Sequence, residues 1–251
     1  MSRVWIINQY SSTTKTGVGG RHHYLARELA RRGHDVTLIA ASWHHLLAES
    51  VVTSPETEMC DGYRFVRVPV PRYADAHAKG RVLNWLLFGH RLRHLPARLG
   101  EVPDTILYSS PSLLGFRGAH RLARKTGARL VFEVRDIWPL TLMEIGGQSP
   151  RHPLIAWMQR VEDRAYAVSD AVVSNLPNAV DHMVTRGMDR AKFTWVPNGY
   201  SREEVESSDP LSPETTALLP KGKFLVGYTA VSYTHLRAHE TDSYLVCRLL
   251  L

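Results

Sequence analysis

The sequence predicts an α/β fold built on a doubly wound parallel sheet, and three observations carry that prediction. Short apolar runs alternate with helical patterns along most of the chain. One run, Leu130 to Val134, is apolar on both faces, as strands of a helix-covered parallel sheet are. It turns abruptly into charge at Arg135 and Asp136. A polar, glycine-bearing loop from Asn8 to Gly20 joins the first apolar run to the first helical pattern.

Val4 to Ile7 is the first strand. The helix that opens near Arg21 repeats Tyr24, Leu25, Leu29 and Ala30 at helical spacing and meets Gly33 where a C-cap glycine belongs. Strands follow at Asp35 to Ala40, Arg64 to Val70, Thr105 to Tyr108, Leu130 to Val134, Ala171 to Ser174 and Phe193 to Val196, about seven in all, with helical patterns between most of them. Residues 1–206 therefore read as one domain. Ser207 to Pro220 is rich in Ser, Pro and Thr without an apolar period, so 207–222 reads as a surface linker. Lys223 to Tyr228 starts a fresh strand, and 223–230 reads as the opening of another domain.

Composition narrows the partners. The 251 residues carry a net charge of +7 and 44% hydrophobic content, ordinary for a globular protein with a preference for anions. Two cysteines, Cys60 and Cys247, give neither a disulfide framework nor a thiolate metal site, which fits a reducing compartment. The chain enters a strand-like run at once, without a secretory leader pattern, and the densest apolar cluster, Trp85 to Phe88, is too short to cross a bilayer. A cytoplasmic protein with at most peripheral membrane contact is expected.

Several segments carry candidate chemistry. Ligands collect at the C-terminal ends of strands in open parallel sheets, and Glu133, Arg135 and Asp136 stand at one such end, with Trp138 and Pro139 fixing the turn. An ion pair of Arg135 with Asp136 or Glu133 is the alternative to a catalytic role. Gly17, Gly19 and Gly20 lie where backbone N–H groups and a helix N-terminus can hold phosphate. The dinucleotide fingerprint fails, because His22 takes the position of its final glycine and the second strand ends in Ala40-Ala41-Ser42 without an acid. The Walker pattern fails as well. Asn198-Gly199 reads as a turn in which Gly199 supplies a positive φ. Asn175, after another strand, reads as a cleft residue or an N-cap. Gly80 to Gly100 carries Trp85, Phe88, Leu92, Leu95 and Leu99 at helical spacing among Arg81, Arg91, Arg93 and Arg98. That pattern fits either a core-packing helix or one resting on anionic lipid. His90 with His94, His22 with His23 and His44 with His45 lack the partners a metal site needs. No nucleic-acid reading motif is present.

Taken together, the glycine loop, Leu29-Ala-Arg-Arg-Gly-His-Asp-Val-Thr-Leu38, Glu133-Val-Arg-Asp-Ile-Trp-Pro139 and Val196-Pro-Asn-Gly199 resemble the retaining GT-B glycosyltransferases of family 4, in particular their bacterial surface-polysaccharide branch. The resemblance runs from Val4 to about Tyr228. It implies a Rossmann-like first half of a GT-B fold that binds the acceptor, with a donor domain required to complete the cleft. It further implies a nucleotide-sugar donor as substrate rather than any cofactor, no metal, and a lipid-linked or glycan acceptor at the inner face of the membrane. Gly19 and Gly20, with Asn198 and Gly199, would border the donor, while Asp136 would orient the acceptor hydroxyl and Arg135 would pair with phosphate. Val231 to Thr241 resembles the translation of a transposase adapter used in DNA sequencing, so 231–251 reads as a non-native tail. A Rossmann-type oxidoreductase and a non-catalytic peripheral binding module remain the alternatives.

Overall fold

The computed structural model describes residues 1–17, 20–47, 56–73, 80–207, 210–220 and 222. The strand expected at Lys223 to Tyr228, the tail from Val231 and Gly19 lie outside the described residues. The strands are β1 (Arg3–Ile7), β2 (Asp35–Ala41), β3 (Thr57–Cys60), β4 (Tyr63–Val68), β5 (Thr105–Ser109), β6 (Arg129–Val134), β7 (Ala171–Ser174) and β8 (Phe193–Trp195). They form one sheet in the order β3-β4-β2-β1-β5-β6-β7-β8, parallel throughout except for the β3–β4 pair.

Strand β3 is the element the sequence pattern did not yield. It is a short edge strand turned back on β4 through Asp61-Gly62, both with positive φ, the geometry of a tight hairpin. The other strands stand within two residues of their expected limits.

Helices lie on both faces. They are α1 (Arg21–Arg31), α2 (Gly80–Arg91), α3 (Leu95–Leu99), α4 (Phe116–Thr126), α5 (Leu140–Glu144), α6 (Pro153–Val168), α7 (Ala179–Thr185), α8 (Arg202–Glu206) and α9 (Pro213–Leu218). Strand alternation sorts the core into two layers. Trp5, Ile7, Ile39, Val66, Phe132 and Val134 pack toward α2, α4 and α6, whereas Ile6, Val36, Leu38 and Phe65 pack toward Ala26 of α1. Gly33, at φ 86, ends α1 as expected.

The stretch after β8 returns to α1. The Tyr24 hydroxyl donates to Glu204 (2.8 Å), Arg27 donates to the Ser201 hydroxyl (3.2 Å) and Arg31 pairs with Glu203 (3.0 Å). The segment read as an irregular linker carries the short, mostly exposed helix α9.

The apolar side chains of the 80–100 segment face inward. Trp85, Phe88, Leu92 and Leu95 are buried in the larger core layer, and Gly89 of α2 meets Gly115 and Gly118 at the contact with α4. Of the two readings of this segment, the core-packing helix is the one the structure shows: helical periodicity marks a buried stripe without saying what buries it.

Candidate active site

The sheet changes winding direction between β1 and β5, since the chain goes from β1 to β2 and β4 on one side and occupies β5 to β8 on the other. Such switch points open a crevice at the strands' C-terminal ends. Asn8, 2% exposed, spans it. Its Nδ2 donates to the carbonyls of Ser109 (3.4 Å) and Ser110 (3.0 Å), and its Oδ1 accepts from the Tyr10 amide (3.0 Å) and the Ser11 hydroxyl (3.3 Å). With both ends of the amide engaged, the side chain fixes the β1 exit against the β5 exit.

One strand further along, the alternation of β6 turns Leu130, Phe132 and Val134 to the larger core layer and Glu133 to the side of α1. Glu133 is 1% exposed. Arg21 Nε donates to Glu133 Oε1 and His22 Nε2 donates to Glu133 Oε2, each at 2.8 Å. Burial pushes this carboxyl's pKa up. The hydrogen bond and charge of His22, the charge of Arg21 and a hydrogen bond from Ser109 outweigh that and hold it well below the usual carboxylate range. Arg21 also donates to the carbonyls of Val196 (2.9 Å) and Pro197 (2.7 Å) and to Asn198 Oδ1 (3.1 Å). A single guanidinium therefore gathers the end of β6, the start of α1 and the segment after β8.

Sequence reasoning placed Glu133 beside Arg135 and Asp136 as a reactive carboxylate, and the structure separates them. Both Glu133 oxygens are taken by Arg21 and His22, and the ion pair weighed between Arg135 and Glu133 or Asp136 does not form among the described residues. Arg135 has its amide fixed by the Ser110 hydroxyl (2.9 Å), while its Nε is buried without a hydrogen-bond partner. Asp136 is exposed, and no described residue pairs with its carboxylate. A cation and an anion thus stand at the strand exit with their charge unspent on each other.

Gly20 is described at φ 74 and ψ −165, a backbone state that favours glycine, and no atom lies within 4 Å of where a Cβ would sit. No side chain caps the N-terminus of α1 that it opens. Gly17 is packed instead, since an added Cβ would lie 2.6 Å from Ser12 Oγ. Asn198 reaches the cluster through Arg21. Gly199 is not in the positive-φ region, which corrects the expectation for it. Ahead of it, Arg21 holds the carbonyls of Val196 and Pro197 and the side chain of Asn198. Asn175 is not a cap either: Asn178 takes the N-cap position of α7, and Asn175 Oδ1 is buried without a partner.

The paired histidines diverge. His23 Nδ1 and the Tyr63 hydroxyl share a 2.7 Å hydrogen bond, while His22 turns to Glu133. His44 donates from Nε2 to the Ser11 carbonyl (3.2 Å), and burial pushes its pKa down to about 4. Arg93 Nε donates to His94 Nε2 (2.9 Å). Among the described residues no three His, Cys, Asp or Glu side chains gather as a metal site.

Residues 16–199 match the family model of the glycosyl transferase 4-like domain. The chain belongs to that family. Its glycosyltransferase domain shares its fold with solved structures of low sequence identity. A sucrose-phosphate synthase from Thermosynechococcus elongatus aligns with a TM-score of 0.55 at 12% identity, over 81% of this chain and 92% of that one. The catalytic domain of starch synthase IV from Arabidopsis thaliana, bound to ADP and acarbose, aligns with a TM-score of 0.54 at 14% identity, over 81% and 52%. Arabidopsis thaliana UGT89C1, complexed with UDP, aligns with a TM-score of 0.51 at 15% identity, over 86% and 53%. The chain therefore spans about half the length of the two plant proteins. Comparison with curated protein sequences gives no match.

The residues that sequence reasoning missed are Asn8, Arg21, His22 and Ser110. His22 carried the one available signal, as the residue standing in the first turn of α1 where the dinucleotide fingerprint has its final glycine.

Proposed function

We propose that the chain is the acceptor-side half of a retaining, metal-independent glycosyltransferase, which moves a sugar from a nucleotide-sugar to a lipid-linked or glycan acceptor in cell-surface polysaccharide synthesis. The observation that carries this reading is Arg135 at the C-terminal end of β6, its Nε buried and unpartnered, next to the exposed carboxylate of Asp136. A guanidinium without a protein anion suits a phosphate oxygen, and bidentate pairing would orient the donor diphosphate. The α1 N-terminus, opened by Gly20 and uncapped, adds backbone N–H donors for the same charge.

In this reading Arg135 and the helix N-terminus stabilise the diphosphate as it departs, and Asp136 accepts a hydrogen bond from the attacking hydroxyl. Glu133 touches no reacting atom; it keeps Arg21 and the N-terminal turn of α1 in place. Family membership supports a nucleotide-sugar donor, and the neighbours bound to ADP or UDP agree with it.

The test uses the full gene product, read past the Tyr228 codon, where a second Rossmann-like domain is expected. Transfer from a panel of nucleotide-sugars to lipid-linked acceptors is read by mass spectrometry, with the anomeric configuration of the product. Arg135→Ala should lower transfer roughly a hundredfold, the scale of losing one transition-state donor. An inverted product would remove the retaining assignment. Absence of transfer together with tight NADH binding would replace the whole reading with an oxidoreductase.

A further inference from the structure

We propose that the exposed face of α4 and α6 is an electrostatic docking surface for an anionic phospholipid bilayer. The two helices lie side by side on one face of the sheet. Helix α4 buries Phe116, Ala119, Leu122 and Ala123 and has no acidic residue, so its outer face is cationic throughout. Arg117, Arg121, Arg124 and Lys125 of α4 and Arg160 and Arg164 of α6 are all exposed. None of the six makes a side-chain hydrogen bond or ion pair among the described residues. By contrast, most arginines of the α1 face are spent on carboxylates, as Arg31 is on Glu203 and Arg32 on Glu28.

One of these cations, Arg124, also lines a shallow depression of about 450 Å³, together with His120, Arg129 and Asp170. Asp170 is occupied there, accepting from the Leu130 amide at 2.7 Å. His120 is held below its usual pKa, first by burial and then by Arg164, Arg124 and Arg121, so these charges act on one spot. The depression sits at the N-terminal end of β6, away from the strand exits of the candidate active site. It is therefore not part of that crevice.

The character of the surface favours a membrane over nucleic acid. None of the large exposed apolar or aromatic side chains lies on α4 or α6, so nothing is offered for stacking on bases or for wedging between them. What remains is a broad, purely electrostatic plane. Anionic leaflets attract such planes additively, by about 1 kcal/mol or fivefold in partitioning for each basic residue near the lipid. The charge and placement of this surface are independent of the sugar-transfer reading.

The chain itself, without donor or acceptor, is sedimented with vesicles of phosphatidylcholine containing phosphatidylglycerol, with pure phosphatidylcholine vesicles, and with duplex DNA as a competing polyanion. Binding is expected to the anionic vesicles alone and should weaken as salt is raised. Arg117→Gln/Arg121→Gln/Arg124→Gln should weaken it about a hundredfold with an unchanged circular dichroism spectrum. Arg91→Gln/Arg93→Gln, on the 80–100 segment, should bind like the parent chain. Equal binding by the triple variant, loss in the Arg91/Arg93 variant instead, or retention by DNA but not by anionic vesicles would each overturn the proposal.

Discussion

Arg21 Nε and Glu133 Oε1 meet at 2.8 Å with side-chain exposures of 11% and 1%, joining residues 112 apart in sequence. The pair does more than neutralise a buried carboxylate. Because the same guanidinium holds the carbonyls of Val196 and Pro197, the exit of β8 is referred to the exit of β6 through one side chain. Any ligand bound at the N-terminus of α1 would sense both.

Arg21→Ala should destabilise the fold by about 3 kcal/mol, because it strands a buried charge that His22 alone then compensates. Glu133→Gln in that background should recover part of the loss, and denaturant unfolding of the four proteins of the cycle measures the coupling. Additive losses would mean the two side chains do not interact. The sign with pH follows from the depressed pKa of Glu133. Its contribution is complete above the unfolded carboxylate value and is lost as pH falls below it, so Glu133→Gln should flatten the acid limb of the stability curve.

A second carboxylate titrates the other way. Glu162, 1% exposed on α6, is pushed up to about 7 by burial, against the opposing hydrogen bonds from Tyr166 and Gln159. The folded state therefore prefers the proton more than the unfolded chain does. Stability should decline as pH rises from the unfolded value toward 7, by up to about 3 kcal/mol. Glu162→Gln keeps the neutral shape. It should remove that slope and raise the melting temperature at pH 8 while leaving it nearly unchanged at pH 4.5; parallel melting curves for variant and parent would count against the assignment.

These partnerships also mark the limit of what the sequence discloses. The strands of the parallel sheet were legible because runs such as Leu130-Val131-Phe132 are apolar on both faces, as strands of a sheet covered on both sides are. Strand β3 was not, since Thr57-Glu58-Met59-Cys60 is half exposed and half polar without alternation, and only the Asp61-Gly62 turn announced it. The site was legible as a place, the charged end of β6, but not as a set of bonds. Nothing local to Glu133 says that its partner is Arg21 rather than Arg135, because the choice depends on which face of the sheet α1 covers. The Trp85 to Leu95 stripe left two readings open for a related reason: its period is identical whether protein or lipid receives it.

The crossing of α2 and α4 depends on missing side chains. A Cβ on Gly118 would run into the Gly89 carbonyl oxygen, a backbone atom that cannot swing aside. Gly118→Ala should therefore force the helices apart and cost about 1–3 kcal/mol, despite the better helix propensity of alanine. Thermal unfolding measures it. A neutral or stabilising outcome would show that the helices are not this close.

Asp136 offers the cleanest separation of chemistry from folding. It is exposed and without a partner among the described residues, so Asp136→Ala should leave unfolding within about 0.5 kcal/mol of the parent chain. Under the proposed reading the same change removes the group that orients the acceptor hydroxyl. In the complete enzyme it should lower kcat by at least about tenfold with little change in KM for the donor. Asp136→Asn retains an acceptor oxygen and should restore part of the rate if orientation is the role, and none if the carboxylate takes the proton. Full activity in Asp136→Ala would leave Arg135 as the remaining candidate at this strand exit, and the acceptor would then have to be held by another wall of the crevice.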